Sequence, residues 1–317
     1  MRLEALLRLV CSTVVAGAFM LASSADAAEQ IRHLDIGVHP RVYKIEPLGP
    51  TPANGALRPI MVELDGSGVD VREPGASRFF PNFSTVAEMP SALLVRPQGA
   101  NRVWDVIPGG IADWRRLSGS DGVPVDDIAF LRAVIADVAS KDAGDPKRAV
   151  LYGISVGGYM TGRLVCEMSD AFRAIGNLIA TARRDQLEAC PQGKPIPYLL
   201  LMSKTDPTDP YTGSKRDGRN DLISAEETVA HFARRNGCQT VVEEAVAKAN
   251  TEDTSTAAIV RYGQCTGDAE VLFYRLDGAE HSLPSRIRYE SDRDRKINRD
   301  IETAQELWKF FARHLGQ

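Results

Sequence analysis

Runs of consecutive apolar residues alternate along this chain with segments whose apolar residues recur every three or four positions. Such runs indicate strands buried on both faces, because a half-buried strand alternates apolar and polar residues. Strands are predicted at 58–65, 91–96, 149–152, 196–203 and 269–276, with a weaker one at 102–107. Helices are predicted after 126, after 155, from 224 to 235 and from about 299 to 314. This alternation is typical of a mostly parallel sheet with helices on both faces.

Local sequence signals support the predicted helix ends. Asp126 and Asp127 suit the positive N-terminus of the first helix. Ser224 and Glu227 form a capping box, and Gly237 stops the helix that they begin. In the last helix the residues predicted to face inward are Ile301, Ala304, Trp308 and Phe311.

The first 27 residues have the pattern of a signal peptide. Arg2 and Arg8 form a short positive start, an apolar stretch follows at 9–22, and Ala25-Asp26-Ala27 is an A-x-A cleavage site. We therefore expect a mature chain that begins near Ala28, forms a single domain over 28–317, and is periplasmic or secreted. The alternative is an uncleaved anchor helix, although the stretch is short for a membrane span.

Four cysteines lie beyond this leader, an even number that favours two disulfides in an exported protein. Three connectivities are possible. Order along the chain favours Cys166–Cys190 and Cys238–Cys265, each closing a loop of about 25 residues. No metal-ligand spacing occurs in the sequence, so no metal or other cofactor is predicted.

Charge excludes one class of partner. The formal net charge is −4 and the charges are scattered. Without a basic stripe, nucleic-acid binding is not expected. The segment 288–299 alternates in sign, which predicts a solvated surface segment.

The sequence Gly153-Ile154-Ser155-Val156-Gly157 lies between a predicted strand and a predicted helix. Small residues on both sides of a serine allow the sharp turn that exposes its hydroxyl. Ser155 is thus a candidate nucleophile. The alternative is a glycine-rich turn with an incidental serine.

A serine nucleophile needs a base and an orienting carboxylate, and both should follow strand ends. Only His281 follows a strand end in a loop; His33 and His39 are expected before the sheet begins, and His231 and His314 lie in helices. For the carboxylate, Asp206 is nearest the end of the strand at 196–203, with Asp209 in reserve. The alternative is a turn in which Asp only caps local backbone groups.

Two backbone N–H groups must also face the oxyanion of an acyl-transfer reaction. Val156, at the start of the helix, is one candidate donor. Ser67, in the glycine turn after the strand at 58–65, is the other. Trp114 is a candidate for lining the substrate pocket, with a core or rim position as the alternative.

Six motifs in this order resemble the secreted polyhydroxybutyrate depolymerase and feruloyl esterase family: Val125–Leu131, Asp145–Arg148, Gly153–Met160, Leu164–Glu167, Thr205–Tyr211 and Asn236–Cys238. The resemblance extends from about residue 58 to the C-terminus. It implies an α/β-hydrolase fold and ester hydrolysis, with Ser155, Asp206 and His281 at the family's triad positions. An ester of a hydroxyalkanoate, feruloyl or acetyl group is the implied substrate.

The chain departs from that family at two positions. Asp65-Gly66 stands where the family usually has His-Gly, so either the Asp65 carboxylate turns away from the oxyanion or catalysis is weak. Ser282-Leu283 stands where an aromatic residue often follows the catalytic histidine, which argues against polymer binding. Two other functions use the same fold: an exported serine peptidase, and a hydrolase-like protein that only binds its ligand.

Overall fold

The computed structural model describes residues 29–316 apart from 38, 74–79, 88, 107–124, 189, 191–192, 215–221 and 289–294. Within these residues the strands are β1 (Gln30–Ile36), β2 (His39–Leu48), β3 (Arg58–Leu64), β4 (Ala92–Pro97), β5 (Gly144–Ile154), β6 (Ile175–Leu178), β7 (Tyr198–Ser203), β8 (Thr240–Ala245), β9 (Thr256–Gly263) and β10 (Val271–Asp277). The α-helices are α1 (Asp127–Lys141), α2 (Val156–Glu167), α3 (Arg184–Glu188), α4 (Ala225–Arg235) and α5 (Thr303–His314).

These strands form one sheet in the order β1-β2-β4-β3-β5-β6-β7-β10-β9-β8. The six central strands, from β4 to β10, run parallel to one another. Antiparallel pairs extend the sheet at each edge, β1 and β2 on one side and β9 and β8 on the other. The carboxyl ends of β3, β5, β7 and β10 therefore lie at the same edge of the sheet.

Helices cover both faces, as the sequence predicted. Side chains of α1, α2 and α4 join one buried cluster, and those of α5 join the cluster on the opposite face. The central strands are mostly buried, including all six residues of β4 and of β7. Their continuous apolar runs thus reflect contact with both layers.

Two expectations are wrong in detail. His33 and His39 do not precede the sheet: they lie in β1 and β2. The predicted strand at 102–107 is irregular over its described residues, because Asn101 and Arg102 have φ of 52° and 66°. Trp104 and Val106 are buried in a loop, where Trp104 donates a hydrogen bond to the Asp65 carbonyl oxygen (3.0 Å).

The last helix also differs slightly from the prediction. It begins at Thr303 rather than near 299, and its buried face includes Leu307 and Phe310. Trp308 is only half-buried, against the edge of the cluster.

Both favoured disulfides are present. Cys166–Cys190 ties the end of α2 to the segment after α3, and Cys238–Cys265 ties the segment after α4 to the loop after β9. The predicted signal peptide and Trp114 lie outside the described residues. Among the helices that the structure describes, none combines the length and apolar character needed to cross a bilayer.

Replacing both Cys238 and Cys265 by serine should lower the free energy of unfolding by about 3.5 kcal/mol, because the unfolded chain loses a closed loop of 27 residues. Urea unfolding monitored by tryptophan fluorescence measures the loss. In the double variant Cys166–Cys190 is the remaining disulfide of the described pair, so any further loss of stability on adding a reductant is due to that disulfide. Equal stabilities of the wild type and the double variant would contradict this prediction.

Candidate active site

Ser155 is the single residue between β5 and α2. Its φ of 53° is rare for a residue with a side chain, and it turns the hydroxyl away from both elements. The turn is held by two backbone hydrogen bonds, from Ser155 N to the Leu178 carbonyl oxygen (3.0 Å) and from Tyr159 N to the Ser155 carbonyl oxygen (3.1 Å). This is the strand–turn–helix predicted from the glycine pattern.

Two glycines make this turn sterically possible. A Cβ at Gly153 would overlap the carbonyl oxygen of Gly157, and a Cβ at Gly157 would overlap the carbonyl oxygen of Leu64. Both clashes are with backbone, which cannot swing aside. The helix α2 can therefore pack this closely on β5 and β3 only with glycine at both positions.

The structure brings Ser155, His281 and Asp206 together although they are far apart in the chain. His281 Nε2 lies 3.1 Å from Ser155 Oγ, and His281 Nδ1 lies 2.7 Å from Asp206 Oδ2. The Asp206 side chain is fully buried, while that of His281 is 20% exposed. The other carboxylate oxygen, Asp206 Oδ1, accepts hydrogen bonds from the N–H groups of Thr208 (2.8 Å) and Asp209 (2.9 Å).

The loops that carry Asp206 and His281 are joined by side chains at the end of β7. Ser203 Oγ and Thr205 Oγ1 both donate to the Ala279 carbonyl oxygen, at 2.6 and 2.7 Å. Gly278 N donates in turn to Thr205 Oγ1 (3.0 Å). The distance between the imidazole and the carboxylate is thus set by hydrogen bonds beyond the pair itself.

Asp209, the reserve carboxylate, is not hydrogen-bonded to the His281 ring, whose partners are Asp206 and Ser155. Its Oδ2 accepts a hydrogen bond from the Tyr159 hydroxyl (2.6 Å), and the side chain is almost completely buried. Burial raises the pKa of Asp209 to about 6, the Tyr159 hydrogen bond opposes this rise, and the neighbouring Asp206 charge adds to it.

Ser155 and His281 open into a cavity of about 660 Å³, a size typical of small-molecule sites. Ser67 lines the same cavity, and the adjacent Gly66 is so close that a Cβ there would lie 3.5 Å from Ser155 Cβ. Val156 is the first residue of α2, where an N–H has no acceptor within the helix. Both predicted oxyanion donors are thus beside Ser155, and their role stays a prediction.

Asp65, the departure at the oxyanion turn, is buried and is not among the described residues that line the cavity. Neither of its carboxylate oxygens has a hydrogen-bond partner in the described structure. Burial raises the pKa of Asp65 well above its ordinary value, and the nearby Glu63 adds to this effect. Of the two alternatives for this carboxylate, the structure has it turned away from the cavity.

Two residues at the site escaped the sequence analysis. Tyr159 was treated only as part of a motif, although it lies one helical turn after Ser155 and faces the acid loop. Arg295 belongs to the segment predicted to be solvated, yet its guanidinium donates to the His281 carbonyl oxygen (2.8 Å). Ile297 and Asn298 of that segment are also buried, so that prediction is wrong at its C-terminal end.

Among the described residues, no cluster of three or more histidine, cysteine, aspartate or glutamate side chains has the geometry to hold a metal ion. The described site itself offers a serine hydroxyl, an imidazole and a carboxylate in a line.

Curated relatives by sequence are esterases. The chain is 27% identical over 271 residues to the putative esterase NocK of Nocardia uniformis subsp. tsuyamanensis, covering 82% of this chain and 75% of that protein. It is 25% identical over 163 residues to feruloyl esterase B of Piromyces equi, covering 50% of this chain and 29% of that protein. The alignment thus spans under a third of that feruloyl esterase. No protein-family model matches the chain.

Solved structures with the same fold include an acetyl xylan esterase from Aspergillus awamori, with a TM-score of 0.50 and 14% identity over 90% of this chain and 99% of that one. For an S-formylglutathione hydrolase from Agrobacterium tumefaciens the TM-score is 0.51 and the identity 11%, over 91% of this chain and 95% of that one. For an acylaminoacyl peptidase the TM-score is 0.52 and the identity 13%, over 90% of this chain and 41% of that one. At these identities the likeness shows the fold alone.

The fold is that of the α/β-hydrolases, which confirms the predicted fold class. Together with the esterases among its relatives, it supports the predicted enzyme class, a carboxylic ester hydrolase. These comparisons do not test the resemblance to polyhydroxybutyrate depolymerases in particular, which stays a prediction.

Replacing Asp65 by asparagine should increase stability, and the increase should grow with pH. A carboxyl whose pKa is raised on folding contributes stability below its ordinary pKa and loses it as the pH rises toward the raised value. Asparagine has no such loss, so the difference grows by about 1.4 kcal/mol per pH unit across that interval. Urea unfolding at pH 4, 6 and 8 measures it. An exposed control, Asp268→Asn, should show no trend; a difference for Asp65→Asn that shrinks or stays flat with pH would contradict the assignment.

Proposed function

We propose that the protein is an exported serine esterase that hydrolyses carboxylic esters through Ser155, His281 and Asp206. The observation that carries the proposal is the continuous line of hydrogen-bond distances from the Ser155 hydroxyl through the imidazole to a buried carboxylate. This line lies at the carboxyl ends of β5, β7 and β10, where α/β enzymes carry their reactive groups.

In this mechanism His281 Nε2 takes the Ser155 proton as Ser155 Oγ attacks the ester carbonyl carbon. Asp206 holds Nδ1 in the tautomer that leaves Nε2 free to accept, and it stabilises the imidazolium that forms. His281 then gives its proton to the departing alcohol oxygen, which leaves an acyl group on Ser155. Water repeats the sequence, with His281 as base, and releases the carboxylic acid.

The developing oxyanion accepts hydrogen bonds from the N–H groups of Val156 and Ser67. Each such donor typically contributes a factor of about 10²–10³ in rate. Because Asp65 is turned away and burial favours its neutral form, it places no negative charge against this oxygen.

The cavity wall suits an ester with an apolar acyl or aryl part. Apolar side chains line part of it, among them Phe80, Ile154, Ile179, Leu283 and Ile297. Polar groups of Asn82, Thr208 and Ser285 line it as well. Hydroxyalkanoate, feruloyl and acetyl esters are the substrate classes that we propose, as small molecules or as groups on a polymer, and no cofactor takes part.

Export to the periplasm or the medium is supported by the two disulfides, which persist in oxidising compartments. In this proposal the leader is removed before Ala28 and the mature enzyme is not anchored in a membrane.

Replacing Ser155 by alanine should abolish labelling by a fluorophosphonate probe and lower kcat/KM on p-nitrophenyl butyrate by at least about 10⁴-fold. The screen should include feruloyl and acetyl-xylose esters. Faster turnover of aminoacyl p-nitroanilides than of every ester would favour the peptidase alternative. A wild-type protein that binds an ester but neither hydrolyses it nor reacts with the probe would favour the binding protein instead.

Replacing Asp206 by asparagine should lower kcat by about 10³–10⁴-fold with little change in KM, because the imidazole is then held in the wrong tautomer. Stopped-flow kinetics with a p-nitrophenyl ester separate the two parameters. If Asp209→Asn caused that larger loss and Asp206→Asn did not, the assignment of the two carboxylates would be reversed.

A further inference from the structure

Arg295 is a cation of the cavity that the mechanism above does not use. It lines the same cavity as Ser155 and His281. Its Nη2 donates a hydrogen bond to the His281 carbonyl oxygen (2.8 Å). A guanidinium carries five N–H donors in a planar fork, so this bond leaves most of them for another acceptor. The catalytic base therefore has a hydrogen-bond donor of fixed positive charge beside it.

The position of Arg295 relative to His281 is fixed by the main chain as well. The next residue, Lys296, accepts hydrogen bonds at its carbonyl oxygen from Glu280 N (2.8 Å) and from Ser282 Oγ (3.3 Å). These two donors lie immediately before and after His281 in the sequence. Because the segment is bound to the histidine loop on both sides and the Arg295 side chain is half-buried, little freedom remains to be lost when a ligand binds.

Arg295 also differs from the other arginine that lines the cavity. Arg102 donates to Asp70 Oδ2 (3.0 Å), and Arg72 holds the same carboxylate through two hydrogen bonds. Among the residues that the structure describes, none offers a carboxylate within ion-pair distance of Arg295. A partly buried cation without a counterion is stabilised by an anion that the ligand supplies.

Carboxylates line the cavity too, but they do not occupy this position. Asp70 is held by its two arginines. Glu302 Oε2 accepts hydrogen bonds from Ser285 Oγ (3.1 Å) and Arg286 N (2.9 Å). Glu73 is exposed, where solvent and salt screen its charge. Their negative charge therefore does not take the place of a ligand anion at Arg295.

We propose that Arg295 is a specificity-determining residue that binds a carboxylate on the alcohol part of the ester, so that the preferred substrate is an ester of a hydroxy acid whose carboxyl group is free. This inference rests on the proposed function and narrows its substrate class. His281 delivers its proton to the departing alcohol oxygen, so the alcohol part must lie beside the imidazole, and Arg295 is bonded to that same residue.

The chemistry of the reaction is unchanged by this contact. The bond between the acyl carbon and the alcohol oxygen breaks, and the proton on His281 Nε2 goes to that oxygen. The hydroxy acid then leaves with its carboxylate still ionised. An acetyl or feruloyl ester of a neutral sugar has no such anion, nor has an ester in the interior of a polyester. The ester at the carboxyl end of a short hydroxyalkanoate oligomer has one.

The test compares two substrates that differ only in this charge, 3-(butyryloxy)butanoate and its carboxamide, 3-(butyryloxy)butanamide. The carboxamide has nearly the same shape but cannot form a charged pair with a guanidinium. We expect the wild type to prefer the carboxylate by about 10-fold or more in kcat/KM, because a charged pair is stronger than a neutral hydrogen bond. The preference should lie mostly in KM, since the contact is made before and during the reaction. Chromatography of the released butyrate measures both rates.

Arg295→Gln should reduce this ratio to about 1. Arg295→Lys should leave an intermediate ratio of about 3, because an ammonium keeps the charge without the fork. Arg102→Gln is the matched control: it removes a second arginine of the same cavity, and the ratio should stay at the wild-type value. Each ratio is taken within one variant, so a disturbance of His281 through its lost carbonyl bond affects both substrates and cancels.

Failure of this inference can be told apart from failure of the proposed function. p-Nitrophenyl butyrate has no carboxylate and reports ester hydrolysis by itself. If the wild type hydrolyses none of the three esters, the proposed function fails. Calorimetric titration of Ser155→Ala with the carboxylate and the carboxamide then decides the binding site, with tighter binding of the carboxylate as the expected result.

Two results would overturn the proposal. One is a wild-type protein that hydrolyses, or as Ser155→Ala binds, the carboxamide as well as the carboxylate. The other is an Arg295→Gln variant that keeps the wild-type ratio. If Arg295→Gln does not fold, an Arg295→Lys variant with the full wild-type ratio has the same consequence.

Discussion

The close packing of helix α2 on the backbone of β5 and β3, at the turn that carries Ser155, constrains the whole site. The chain leaves the central strand β5 and enters α2 within one residue, at a positive φ, while the helix packs directly on the backbone of β5 and β3. Glycine at 153 and 157 makes this approach possible. The strain at Ser155 persists because a rigid parallel sheet and a buried helix fix both ends of the turn. Its hydroxyl therefore occupies one position, against which the other groups are arranged.

Around this fixed hydroxyl the site is built from two loops that follow neighbouring parallel strands. Ser203 and Thr205 bind the histidine loop to the acid loop, so the imidazole and the carboxylate stay in contact without relying on their own attraction. Burial acts differently on the carboxyls nearby. Asp206 is held by two backbone N–H groups, Asp209 by a tyrosine, and Asp65 by no partner in the described structure. Of these three carboxyls, Asp206 is the one that is hydrogen-bonded to His281.

Apart from the short strand β6 and the short helix α3, the central strands, the described helices and the three candidate side chains could be predicted from sequence, because buried parallel strands have continuous apolar runs and reactive groups follow their ends. The edge strands could not. β1 is largely solvent-exposed and β8 entirely so, and neither has the apolar run on which the prediction relied. The opposite error occurs at Trp104, where an apolar residue in a buried loop led to a predicted strand that the structure does not have there. Tyr159 and Arg295 reach the site through contacts distant in sequence, for which no local pattern exists.

The central claim is that Ser155 becomes covalently acylated because a histidine held by a buried carboxylate activates it. The most direct measurement is peptide mass spectrometry of the enzyme, quenched with acid during turnover of p-nitrophenyl butyrate. The account predicts a butyryl group on the peptide that contains Ser155, and none when the same experiment starts from Asp206→Asn at equal times. Continued hydrolysis with an unmodified Ser155 peptide, or with the butyryl group on another residue, would contradict it.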